Sequence, residues 1–208
     1  MKFSLVLLLI LIVSPDPKIK VWKEKRGLVV VEAEHSQERN DLPIYWASST
    51  VVQGYSGTGF LRWSGTSFIN KEFSEIDYER IITYYVDIDK EGVYYMKIKG
   101  TIFDEPSANI LVRIDNSEWK QFIIPNNGSV AWDINPLEES YPFFFQHDFH
   151  KIDIAGTSSG FLFDKFALLH ESLIDPAADS INTKLLDYQR ESRSQYLPAD
   201  QFKFLNEQ

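Results

Sequence analysis

A succession of short runs rich in β-branched and aromatic residues constrains this chain more than anything else in it. Leu28 to Glu34, Thr58 to Trp63, Arg80 to Ile88, Val93 to Ile102, Ala108 to Asp115, Glu118 to Ile124, Phe149 to Ala155 and Phe161 to Leu169 are each bounded by Gly, Asn, Asp or Pro. Runs of this length, rich in Val, Ile, Tyr and Phe and closed by turn residues, read as strands. Ile110, Val112 and Ile114 alternate with Leu111, Arg113 and Asp115, the pattern of a strand with one wetter face. Asp89 to Gly92 reads as a turn entering a strand, and Asp115 to Glu118 as the turn of a hairpin. No amphipathic helical segment separates these runs. They therefore predict an all-β chain, an antiparallel β-sandwich and most simply a jelly roll.

The ends differ from this middle. Lys2 precedes an apolar run from Phe3 to Val13 in which Ser4 is the sole polar residue. That run is shorter than the roughly 20 residues a bilayer-spanning helix needs, so residues 1–17 read as a secretory signal peptide. No A-x-A cleavage site precedes Pro15-Asp16-Pro17, and an uncleaved anchor or a buried strand is the alternative. The sandwich is expected over 27–170. From Asp175 the texture turns polar; Ala177 to Arg193 suits a short helix, and 171–208 reads as a C-terminal helical or irregular appendage.

The chain carries 21 Lys and Arg against 30 Asp and Glu, a net charge of −9. With no basic stripe, that field repels nucleic acid. It also opposes, more weakly, a heavily sulfated or uronate-rich polymer, although a local basic pocket could still serve one. The absence of Cys excludes a disulfide scaffold, a thiolate zinc site, a Cys nucleophile and a lipidated Cys. There is no H-E-x-x-H, P-loop or helix-opening G-x-G-x-x-G. Gly54-Tyr55-Ser56-Gly57-Thr58-Gly59 precedes a strand rather than a helix and reads as a tight turn needing positive φ. His147 and His150, three apart on a strand, would point to opposite faces. Nothing fixes a carboxylate pair as a glycosidase would require, so no residue is assigned a catalytic role.

One constellation stands out. Glu32 and Glu34 close a strong strand two residues apart, so both carboxylates are expected on one face, where they repel unless a cation lies between them. Asp164 interrupts a segment apolar enough to be buried on both faces, and a buried carboxylate needs a partner. Three hard oxygen ligands suit Ca²⁺. The alternative is a surface Glu pair with Asp164 hydrogen-bonded to backbone.

Leu28 to His35 followed by Gly54 to Leu61, then Gly92 to Ile98, His150 to Ala155 and Gly160 to Phe166, resemble in order the motifs of carbohydrate-binding modules of families 6 and 35. The closing Gly160-Phe161-Leu162-Phe163-Asp164-Lys165-Phe166 is also similar to the C-terminal module of family 115 glycoside hydrolases. The resemblance covers about Gly27 to His170. It implies a jelly roll with a structural calcium ion held at Glu32, Glu34 and Asp164. It also implies sugar recognition by aromatic platforms in loops at one end of the sandwich, where an aromatic face stacks on a pyranose ring. The matching candidates are Tyr45, Trp46 and Trp132, with Asn126, Asn127 and Asp133 supplying hydrogen bonds; a loop Trp folded back as a lid on the core is the alternative. Trp63 and Trp119 are expected in the core or on a sheet face. One departure is Leu162, where family 6 modules often carry a sugar-contacting Asn, so a ligand could instead be held on another face. Tyr141 to Phe145 is an apolar stretch that reads as contact surface or core.

The expected function is non-catalytic binding of a plant, algal or microbial polysaccharide or oligosaccharide by a secreted, periplasmic or cell-surface module, with a carbohydrate-active enzyme or another surface protein as partner. No nucleic acid and no membrane span in the mature chain are expected. The competing reading is a structural or adhesive sandwich that binds a protein.

Overall fold

The computed structural model describes residues 18–36, 45–66, 76, 80–126, 128–132, 142–174 and 189–198. The expected signal peptide and most of the expected C-terminal helix lie outside the described residues. All eight expected strands form: β2 (Leu28–Glu32), β4 (Phe60–Trp63), β5 (Ile81–Ile88), β6 (Gly92–Thr101), β7 (Ser107–Ile114), β8 (Lys120–Pro125), β11 (Asp148–Gly156) and β12 (Leu162–His170). Five more accompany them: β1 (Lys18–Lys23), β3 (Trp46–Ser49), β9 (Ala131–Trp132), β10 (Pro142–Phe145) and β13 (Ser194–Pro198).

The strands make two sheets. The first runs β13-β1-β5-β11-β7-β8, and the second β10-β6-β12-β4-β3 with β2 on β12 and β9 on β6. Pairing is antiparallel except between β1 and β5. The inner faces meet in one core that includes Trp22, Trp63, Tyr84, Tyr94, Phe122, Phe161, Phe163 and Phe166. Trp63 is fully buried, as expected, and lies close to the Gly156 backbone, where an added Cβ would collide with the indole ring. Phe143 and Phe145 of β10 face this core while Phe144 stays 61% exposed, so Pro142–Phe145 is an edge strand with one face inward; Tyr141 lies outside the described residues.

β12 organises the second sheet. One side pairs with β6; the other pairs with β4 at Leu162–Phe163 and with β2 at Lys165–Leu169. The register against β6 slips between Phe163 and Lys165, so Asp164 is the extra residue of a β-bulge. A strand's side chains alternate faces, and without the bulge Phe163 and Phe166 would point apart. The bulge resets the alternation, so Phe161 and Phe163 before it and Phe166 and Leu168 after it all enter the same core.

Two expected boundaries are corrected. The sandwich does not begin at residue 27: Lys18–Lys23 pairs with β5 at Val21↔Tyr85 through Lys23↔Asp87. Nor is 171–208 wholly an appendage, since Ser194–Pro198 pairs with β1 from Lys18↔Pro198 to Trp22↔Ser194. The residues leading into β13 run as a strap along β2: the Val30 N–H donates to Ser192 Oγ at 2.9 Å, and the Ser192 N–H donates to the Val30 carbonyl at 2.8 Å. Residues 189–193 carry no helix. Among the described residues no helix is long and apolar enough to cross a membrane.

Candidate functional site

Because β4 and β2 share one side of β12, the chain must cross the gap between them, and the bulge falls at that gap. Three carboxylates gather there. Glu32 ends β2, Glu34 lies in the short 3-10 turn Ala33–His35, and Asp164 is the bulge residue; they are 6%, 3% and 0% exposed. The expected strand continuation to Glu34 is therefore corrected: the backbone turns after Glu32, yet both side chains are buried.

The Gly54–Gly59 loop lies over these acids. The Ser56 N–H donates to Asp164 Oδ1 at 2.7 Å, and Ser56 Oγ lies 2.8 Å from Glu32 Oε2 and 3.1 Å from Asp164 Oδ2. The Thr58 N–H and hydroxyl both donate to Glu34 Oε1, at 2.6 and 3.0 Å. Gly57 has φ +68, and an added Cβ there would collide with Glu34 Oε1; the loop needs glycine for both reasons. Lys99 Nζ stands 3.9 Å from Asp164 Oδ2, and Lys165 pairs opposite Glu32.

One serine hydroxyl carries one proton, so it cannot donate fully to two carboxylates. Burial, opposed by the Ser56 bond and Lys165 and reinforced by the charges of Asp164 and Glu34, pushes the Glu32 carboxyl up to about 7. Burial likewise pushes Asp164 up to about 6, against the Ser56 N–H, Lys99 and Lys165. Without a further cation, some of this cluster holds protons near neutral pH.

Among the described residues no group of three or more His, Cys, Asp or Glu side chains is arranged to hold a metal ion: Ser56 stands between Glu32 and Asp164, and Thr58 engages Glu34. The donor chemistry nonetheless suits a hard cation. Glu32, Glu34, Asp164, Ser56 and Thr58 all present oxygen, and Glu34 Oε2 is buried without a partner. Glu191, absent from the sequence reading, supports the cluster from outside. Its Oε1 accepts the Glu32 N–H at 3.3 Å and the Trp22 indole N–H at 2.8 Å, and lies 2.7 Å from His35 Nδ1.

The expected sugar platforms are corrected. Trp46 is not in a loop but opens β3, is 3% exposed, and donates its indole N–H to the Arg80 carbonyl at 2.9 Å. Its ring packs 5.4 Å from Trp63, and Tyr45 packs 5.3 Å from the same indole. Trp132 lies in β9, 8% exposed, on the outer side of the second sheet with Val30, Ala167 and Leu169. Asn126 donates from Nδ2 to the Phe103 and Glu105 carbonyls, at 3.1 and 2.8 Å, and accepts the Gly128 N–H; it holds a turn together. Asn127 and Asp133 lie outside the described residues. Leu162 is buried, and His150 binds Asp115 and the Gln146 carbonyl rather than standing ready for a metal.

No family model and no curated protein matches this sequence; the likeness is structural. The chain superposes on the Podospora anserina GH26-CBM35 β-(1,4)-mannanase with a TM-score of 0.54 at 17% identity, over 73% of this chain and 29% of that one. It thus spans under a third of that protein's length. A CBM35 from Cellvibrio japonicus Abf62 aligns at 8% identity over 68% of this chain and 92% of its own, with a TM-score of 0.48. A family 35 carbohydrate-binding module from Clostridium thermocellum aligns at 12% identity over 68% and 96%, at 0.47. Of these three, the first alone exceeds 0.5, and at such identities the likeness is one of fold. This chain has the jelly-roll fold found among family 35 carbohydrate-binding modules.

Proposed function

We propose that this protein is an exported, non-catalytic module that binds a plant, algal or microbial polysaccharide, with a calcium ion in a structural role. The observation that carries the reading is the fold: the strands of the described residues form two sheets, and 73% of this chain superposes on a mannanase named for its CBM35. Neighbours aligned over nearly their full length are isolated binding modules, which supports binding without catalysis.

Glu32, Glu34 and Asp164 would hold the calcium, Glu34 Oε2 offering the oxygen that lacks a partner. The ion would supply positive charge to a buried acidic cluster and join the end of β2 to the middle of β12. Protein-only contacts already draw the 54–59 loop onto the same acids, so the ion would reinforce an existing junction.

The burial of Trp46 and Trp132 favours one competing reading. With those indoles in the packing, the sandwich could serve as a structural or adhesive domain for a protein partner. Affinity electrophoresis of the full chain through gels containing mannan, xylan, β-glucan, galactan or alginate separates the two. Retardation by at least one polymer is expected; unchanged mobility in all of them, with capture of a protein partner, would overturn the carbohydrate reading.

A further inference from the structure

On the outer face of the first sheet a buried carboxylate organises an array of partly exposed polar groups. Asp153 of β11 faces Thr83 of β5 on one side and Arg113 of β7 on the other. It is 1% exposed although it lies on the sheet's outer face. Its Oδ1 accepts the Thr83 hydroxyl at 2.8 Å; its Oδ2 accepts Arg113 Nε at 2.9 Å and lies 2.8 Å from Arg113 Nη2 and 3.0 Å from Lys151 Nζ. Arg113 in turn lies over the Trp119 ring, 4.5 Å from its centroid. One strand further on, Gln121 Nε2 donates to Asn109 Oδ1 at 2.8 Å.

The outward face of an antiparallel sheet needs only to be wettable, and scattered surface charges would satisfy that. Here a carboxylate is desolvated, which is costly unless it is paired, and its pairing fixes two long cationic side chains. Each keeps a minority of its side chain in solvent, 24% for Arg113 and 17% for Lys151. Fixed donors are what a binding surface needs, because their ordering entropy is lost before the ligand arrives. Arg113 Nη1 and the Gln121 side-chain oxygen, Oε1, have no partner among the described residues. Trp119, half-buried beside them, adds a ring with apolar surface.

We propose that this face, centred on Arg113, Trp119, Gln121, Asn109 and Lys151, binds an uncharged polysaccharide chain lying across the strands. The proposal rests on the carbohydrate reading above and gives it a place and a ligand class. The hydroxyls of a neutral glycan both donate and accept, matching a surface that mixes cationic donors with amides able to do either. An anionic chain offers the same hydroxyls but adds carboxylates, whose approach the net charge of −9 opposes. Neighbouring strands lie about 4.8 Å apart, so the face from β5 to β8 is long enough for several sugar rings.

Calorimetric titration of the full chain with gluco-, manno-, xylo- and galacto-oligosaccharides, alongside oligogalacturonate, tests this. At least one neutral series is expected to bind, with Trp119→Ala and Gln121→Ala each weakening it about tenfold or more while the melting temperature is unchanged. Amide-resolved NMR during the same titration should move the Trp119 indole and Gln121 signals first, which keeps the test valid if Trp119→Ala folds poorly. Neutral sugar bound equally by wild type and both variants would overturn the site and leave the carbohydrate reading intact. Binding of oligogalacturonate alone would overturn the ligand class, and no binding of any glycan would overturn both readings.

Discussion

His150 shows how much a single side chain can disclose. Its Nδ1 lies 2.5 Å from Asp115 Oδ2 and its Nε2 lies 2.9 Å from the Gln146 carbonyl, with the Phe145 ring edge-on at 4.8 Å. Both partners are acceptors, and only the imidazolium donates from both nitrogens. Burial alone would lower the pKa, but the Asp115 bond, the Gln146 carbonyl and the charges of Asp115 and Asp148 outweigh it and raise the value above 6.5. A histidine whose folded pKa exceeds its unfolded one contributes stability that is complete below about 6.5 and is lost as pH rises through the folded value. An NMR titration of the His150 ring should give a midpoint above 6.5, and Asp115→Asn should lower it. A wild-type midpoint at or below 6.5 would sink the assignment. The sequence placed His147 and His150 on opposite faces of a strand; the neighbours that set the charge of His150, Asp115 and the Gln146 carbonyl, come from a hairpin turn and a strand end.

Among the elements, the strap tests what holds the two sheets in place along β1 and β2. Glu191 accepts from the Trp22 indole and the Glu32 backbone and pairs with His35. Burial alone would raise its pKa, but the His35 and Trp22 bonds and the Glu32 N–H lower it overall. Glu191→Ala would strand those groups, which costs about 2 kcal/mol or more, whereas a solvated tail residue would cost almost nothing. Urea unfolding should distinguish these: a midpoint equal to wild type would mean that the strap does not carry load. Such an element was hard to foresee. The strands that could be read from sequence, such as Ile81–Ile88 and Leu162–His170, are dominated by large apolar residues. Ser194–Pro198 has only Tyr196 and Leu197 as large apolar residues, and its place comes from backbone pairing with β1. Trp46 misled in the same way: Trp46–Ser49 has one large apolar residue, so its indole looked like a loop platform, and only its pairing opposite Trp63 reveals it as core. The acidic trio was legible because charge inside apolar runs is conspicuous. The sheet face around Asp153 was not, because alternating polar residues look alike whether they meet water or a ligand.

For the whole molecule, the question is whether the acidic cluster carries an ion. A chain of net charge −9 gains from a bound divalent cation, and the gain is greatest where carboxylates are already out of water. An ion that binds only the folded state adds about 2.7 kcal/mol at a hundred times its dissociation constant, roughly 5–10 °C for a domain of this size. Calcium should therefore raise the melting temperature in scanning calorimetry, and EDTA should reverse the rise. Asp164→Asn separates this from non-specific screening by salt. A neutral amide removes the cost of a desolvated charge while it can still accept the Ser56 N–H, so the metal-free variant should melt at or above wild type. It loses a ligand, so its response to calcium should fall to that of magnesium or sodium at equal ionic strength. If wild type and Asp164→Asn respond alike, the three acids are held by Ser56, Thr58 and the nearby lysines alone, and their burial serves the packing of β2 against β12.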